Sequence, residues 1–121
     1  MAIQRILIVD DSPTERYYLT DILVKNGFSV STADNGEDAL ARIKADKPQL
    51  ILMDVVMPGA NGFQVTRAIA RDPELKDVPV IICSSKNQET DRIWGMRQGA
   101  KAYLVKPVDA AELLAQIAAL G

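Results

Sequence analysis

The feature that most constrains this chain is a set of short apolar runs, each followed by a charged or hydroxylated side chain. Ile6-Leu7-Ile8-Val9 leads into Asp10 and Asp11, Leu50-Ile51-Leu52-Met53 into Asp54, and Val80-Ile81-Ile82-Cys83 into Ser84, while Lys106 follows Tyr103-Leu104-Val105. Runs this short are of strand length. The first three lack the polar alternation of a half-exposed strand, which predicts central strands buried on both faces. If the strands are parallel, all of these polar groups arrive at one edge of one sheet.

The intervening segments read as helices. Strands are expected near 4–9, 28–33, 50–53, 78–83 and 102–105, and the alternating Ser29-Val30-Ser31-Thr32 suits a sheet edge. Ser12-Pro13-Thr14-Glu15 has the form of a capping box with proline at the first helical position, and Leu19, Ile22 and Leu23 supply a buried stripe up to Gly27. Further starts lie at Asn35-Gly36, Asn61-Gly62-Phe63-Gln64 and Asp109-Ala110-Ala111-Glu112, and a fourth helix is expected over roughly 87–98, ending at Gly99. Strand and helix alternating five times predict an α/β fold, a parallel sheet covered by helices on both faces.

At 121 residues the chain has room for one domain, expected to span 1–121 with no separate output domain, and such a length buries enough surface to fold without staples. The net charge of -2 with basic residues scattered among acids gives nucleic-acid binding no electrostatic footing. No apolar run reaches the length of a membrane span and no signal peptide opens the chain, so no membrane insertion and a cytoplasmic location are expected. The single cysteine, Cys83, sits inside an apolar run and reads as a packed small hydrophobe. There is no histidine, which excludes a phosphohistidine intermediate on this chain, a histidine triad and a histidine metal site.

In open α/β sheets, ligands bind beyond the carboxyl ends of the strands where the strand order reverses. With order 2-1-3-4-5 that point falls between strands 1 and 3, bringing Asp10, Asp11 and Asp54 together across strands only ~4.8 Å apart. Carboxylates so close repel, and a cation resolves the conflict. Hard oxygen donors without sulfur or imidazole favour Mg2+ over zinc. Each aspartate alone could be a loop or turn residue; all three with Ser84 and Lys106 on strand ends point to phosphoryl chemistry. The Asp-Asp-Ser-Pro connection after the first strand is not a glycine-rich phosphate loop, which argues against a nucleotide site there.

These residues resemble the receiver domains of two-component response regulators, a flavodoxin-like (βα)5 three-layer sandwich with a five-stranded parallel sheet of order 2-1-3-4-5, and in particular the single-domain chemotaxis regulators. The similarity covers the whole chain through Asp10-Asp11, Asp54, Met57-Pro58, Gly62, Ser84 and Lys106-Pro107. It implies that Asp54 is the phosphoacceptor, taking a phosphoryl group from a sensor histidine kinase. Asp11, Asp54 and the Val56 carbonyl resemble the direct Mg2+ ligands, with Asp10 acting through water. Lys106, with a cis peptide before Pro107, would neutralise the phosphoryl oxygens; Ser84 resembles the switch hydroxyl and Tyr103 the aromatic that turns inward with it. The chain would catalyse only its own phosphorylation and dephosphorylation, act as a monomer, and present helix 4, strand 5 and helix 5 to an output partner. At the two positions associated in the family with phosphoryl lifetime it carries Val56 and Lys86, so the chemotaxis regulator's rapid dephosphorylation is not implied.

Asp11-Ser12-Pro13-Thr14-Glu15, Asn61-Gly62-Phe63-Gln64, Gln88-Glu89-Thr90-Asp91 and Trp94-Gly95 are further similar to pilus-associated regulators of twitching motility, which implies a chemotaxis-type kinase and an output partner in the pilus machinery. Trp94 itself reads as an anchor packing helix 4 onto the sheet, with a partner contact as the alternative. Alternative readings are a phosphate sink for a shared kinase, an aspartyl-phosphate phosphatase or phosphotransferase, and a constitutive scaffold. The enzyme reading lacks its usual second carboxylate, since Val56 stands two residues after Asp54. The scaffold reading expects an eroded site, whereas this one is intact.

Overall fold

In the computed structural model, which describes residues 2–121, strands and helices alternate as β1 (Arg5–Val9), α1 (Pro13–Lys25), β2 (Ser29–Ala33), α2 (Gly36–Ala45), β3 (Leu50–Met53), α3 (Gly62–Arg71), β4 (Val80–Ser84), α4 (Glu89–Arg97), β5 (Ala102–Val105) and α5 (Ala110–Leu120). The strands are all parallel in the order β2-β1-β3-β4-β5. β1, β3 and β4 are central and β2 is an edge with alternating exposure, as their sequences predict.

Two cores follow from the pleat. Leu7, Val9, Ile51, Met53 and Ile82 point to one face and pack under Ile43, Val65 and Ile69 of α2 and α3. Ile6, Ile8, Leu50, Leu52, Ile81 and Cys83 point to the other and meet Leu19 and Leu23 of α1 and Leu113 and Ile117 of α5. Burying each such Leu or Ile contributes about 1.5–3 kcal/mol. With both faces covered, the polar groups at the strand ends are left at the sheet's carboxyl edge.

Two elements, β4 and α4, start two residues later than expected, while β1 and β2 start one residue later. β4 starts at Val80 rather than 78, because Pro79 has no N–H to donate and only its carbonyl joins the ladder, accepting from Ile51 at 3.0 Å; the strand then runs on through Ser84. α4 starts at Glu89 rather than 87, after a turn in which the Asp91 carboxylate accepts from the Gln88 N–H at 3.2 Å. Gly27 and Gly99, just past α1 and α4, take φ of +89° and +112°, a backbone that side chains strain.

α3 is anchored directly beneath the acidic edge. Its capping box is complete: Asn61 Oδ1 accepts from the Gln64 N–H at 3.0 Å, and Gln64 Oε1 from the Asn61 N–H at 2.9 Å. The Gly62 N–H donates to the Val55 carbonyl at 2.9 Å. A Cβ on Gly62 would overlap the Asp54 carbonyl oxygen and come within 2.9 Å of Val55 Cα. Because the obstruction is backbone, no rotamer relieves it. Gly62→Ala is therefore expected to cost about 3 kcal/mol in urea unfolding, and a loss of under a few tenths would mean the β3–α3 loop yields freely.

Candidate functional site

Three charged residues each sit one position past their strand, and the sheet ladder still holds their backbones. The Asp10 N–H donates to Ala33 O at 3.0 Å, the Asp54 N–H to Val9 O at 2.8 Å, and the Lys106 N–H to Ser84 O at 2.8 Å. The β1–β3 register pairs Val9 with Met53, so Asp10 and Asp54 lie side by side. The cis Lys106-Pro107 peptide expected from the sequence is present.

The side chains converge. Asp10, Asp11 and Asp54 each bring a carboxylate oxygen to within 4.8 Å of the others. Lys106 Nζ donates to Asp10 Oδ2 at 2.8 Å and to Asp54 Oδ1 at 3.1 Å. Asp10 and Asp54 are buried and Asp11 is exposed. Burial, and then the charge of Asp10, push the Asp54 carboxyl above its ordinary range, with Lys106 pulling the other way. Burial alone would lower the Lys106 ammonium, but the Asp10 hydrogen bond and the Asp54 charge outweigh it and hold Lys106 above its usual value. One ammonium thus faces two buried carboxylates, and a third stands at the mouth.

The donor set fits Mg2+. Asp10 has both oxygens engaged, Oδ2 by Lys106 and Oδ1 by the Ser12 N–H at 2.9 Å. Asp11, exposed at the rim, is the carboxylate better placed to meet a cation directly. No sulfur joins the cluster: Cys83 is buried in the sheet with its thiol pushed up to about 12 by burial.

The same Asp10 oxygen changes the start of α1. Ser12 accepts from the Glu15 N–H at 3.3 Å, but the Ser12 N–H goes to Asp10, so Glu15 does not close the capping box and its Oε2 is buried without a partner. Arg16 also escaped the sequence reading; it donates to the Asp10 carbonyl at 2.7 Å, a contact no local motif signals.

Ser84 ends β4, fully buried, with its Oγ accepting from the Lys86 N–H at 3.1 Å. Tyr103 is turned inward, 8% exposed, and its hydroxyl donates to the Lys86 carbonyl at 2.9 Å. Burial raises the phenol's pKa and the nearby Ser84 hydroxyl pulls it the other way, while both side chains bond the backbone of Lys86, so the two residues meet at the 84–86 turn. The Val56 side chain is exposed on the loop after β3. Trp94 is not the expected anchor: it is 48% exposed, and the neighbouring Gly95 faces the sheet instead. A Cβ on Gly95 would come within 2.9 Å of Ile82 Cδ1 and 3.0 Å of Tyr103 Cδ2. Gly95→Ala is expected to displace the Tyr103 ring and lower its phenol pKa toward 10.0, read by tyrosinate absorbance; an unchanged titration would mean α4 shifts instead.

A parallel (βα)5 sheet whose carboxyl edge joins an acidic triad to a lysine and a buried hydroxyl defines a receiver. The chain belongs to the response regulator receiver domain family, whose sequence profile matches residues 6–118. It is 56% identical over 116 residues to protein PilH of Pseudomonas aeruginosa, covering 96% of both chains. It is also 40% identical to the response regulator PleD of Caulobacter vibrioides, matching 26% of that longer protein. Among solved structures, chemotaxis protein CheY4 of Vibrio cholerae superposes with a TM-score of 0.90 at 29% identity, covering 99% of this chain and 100% of that one. The receiver domain of a Syntrophus aciditrophicus signal transduction histidine kinase gives 0.89 at 31%, covering 97% and 89%.

Proposed function

We propose that this chain is a stand-alone response regulator that accepts a phosphoryl group from a sensor kinase phosphohistidine onto Asp54. In the transfer, an Asp54 carboxylate oxygen forms the new bond to phosphorus as the phosphorus–nitrogen bond breaks and its electron pair stays on the imidazole, whose other ring nitrogen carries a proton, leaving an acyl phosphate on Asp54 and a neutral histidine on the kinase. Asp11, Asp54 and the Val56 carbonyl would hold Mg2+, with Asp10 acting through water; when bound, the ion neutralises developing phosphoryl charge. Lys106, already on Asp54, would follow the new phosphoryl oxygens. Ser84 keeps its hydroxyl proton free to donate, and its movement would release the turn that Tyr103 holds. The α4–β5–α5 surface would then change its affinity for an output protein.

The observation that carries this reading is the Lys106 bridge between buried Asp10 and Asp54 at the strand ends. Similarity to PilH along nearly the full length of both chains supports a place in twitching motility, with pilus machinery as output. Among the described residues no helix is long and apolar enough to cross a membrane. Intact mass after acetyl phosphate treatment tests the chemistry: a single phosphoryl adduct is expected with Mg2+ and none without it. No adduct from several donors would favour a constitutive scaffold.

A further inference from the structure

A second concave site lies between α3 and α4. Helices in βα units run back against the strands, so the C-terminal halves of α3 and α4 lie toward the amino edge of the sheet, away from the acidic cluster. There, Arg67, Ala70 and Arg71 form one face of α3, and Trp94, Arg97 and Gln98 one face of α4, each at spacings of three and four. Together with Gly99 they line a cavity of about 430 Å³ that contains no carboxylate, although the chain's net charge is -2. None of the three arginines forms an ion pair among the described residues.

Helix dipoles account for part of this. Arg71 and Arg97 lie in the last turns of their helices, where a cation is favoured. The two helix ends together supply about one negative charge, which leaves roughly two positive charges uncompensated. They explain neither Arg67 nor an indole left half exposed beside three guanidiniums. A phosphate monoester carries about -1.5 to -2 at neutral pH and is matched in geometry by arginine forks. An aromatic face adds a platform for a flat ring, and the volume lies in the range of small-ligand sites. An extended acidic chain fits less well, since it would leave the groove past Asp72 and Glu74 or past Glu89 and Asp91.

We propose that the α3–α4 groove binds a nucleotide, with its phosphate on Arg67, Arg71 and Arg97 and its base stacked on Trp94. The buried Gln98 brings an amide to the lining that suits a base edge. The site is separate from the phosphoryl chemistry at Asp54 and would let a second, diffusible signal act on α4.

Trp94 is the only tryptophan, so tryptophan emission, excited selectively over the three tyrosines, reports on this groove. Titrating AMP, GMP, CMP and UMP into the full chain without Mg2+ is expected to give saturable quenching by at least one of them below about 1 mM. Arg67→Gln/Arg71→Gln should weaken that binding about tenfold or more, and Trp94→Leu should weaken it similarly by calorimetry, with thermal midpoints and acetyl phosphate labelling unchanged. No saturable quenching by any nucleotide, equal binding of inorganic phosphate, or tighter binding of hexaglutamate would each overturn the assignment, the last in favour of an acidic protein partner.

Discussion

Asp54→Asn is expected to abolish phosphoryl labelling completely while raising the melting temperature at pH 7. The first effect follows from chemistry, because an amide oxygen cannot form the acyl phosphate. The second follows from the environment. Folding raises the proton affinity of Asp54 above its ordinary 3.8, through burial and then the charge of Asp10, in spite of Lys106. Above that raised value the folded protein carries a carboxylate that would be better solvated in the unfolded chain, so ionisation costs stability; below 3.8 both states are protonated and the cost vanishes. Asparagine removes the cost and can still accept from Lys106. The gain in melting temperature should therefore be largest near neutrality and shrink as pH falls toward 4, within the window set by the raised carboxyl. Retained labelling would move the acceptor to another residue. A variant no more stable than the native chain at pH 7 would show that Lys106 fully offsets the burial of Asp54.

The sheet was legible in the sequence because its central strands are apolar on both faces, and a run such as Leu50–Met53 has few other places to go. The candidate cluster was legible for a related reason: parallel strands put their carboxyl ends on one edge, so linear spacing became convergence at Asp10, Asp54 and Lys106. What escaped depended on competition between partners or on small rotations. Glu15 has the place of the second half of a capping box, but the Asp10 carboxylate takes the Ser12 N–H. Trp94 looked like an anchor because large aromatics bury, yet the helix turns by 100° per residue and the sheet side of α4 went to Gly95, where the Tyr103 ring needs the room. Arg16 reaches the Asp10 carbonyl from the first turn of α1, a contact that only the folded backbone specifies.

Lys106→Ala is expected to produce the largest stability loss of any change at the site, and one with a diagnostic dependence on pH and metal. The ammonium is the only cation hydrogen-bonded to the Asp10 and Asp54 carboxylates among the described residues, and both carboxylates are buried. Removing one partner of a buried ion pair costs about 3–5 kcal/mol, and the lower end applies here because the cluster opens at the sheet edge. The raised pKa of Lys106 means that the pair's contribution is present through the neutral range and is lost only as pH rises through a value above 10.5. In the variant, Asp54 should titrate still higher, so the deficit seen at pH 7 should narrow on acidification as that carboxyl takes up a proton. Added Mg2+ should recover part of the lost stability by supplying the missing positive charge, and chelation should remove that recovery. The variant should still accept some phosphoryl group, since Asp54 remains, but bind an output partner poorly because Lys106 no longer follows the phosphoryl oxygens. Urea unfolding at pH 5 and pH 7, with Mg2+ or with chelator, separates these effects. A deficit independent of both pH and Mg2+ would mean that Lys106 acts by packing, and its electrostatic role at Asp54 would have to be abandoned.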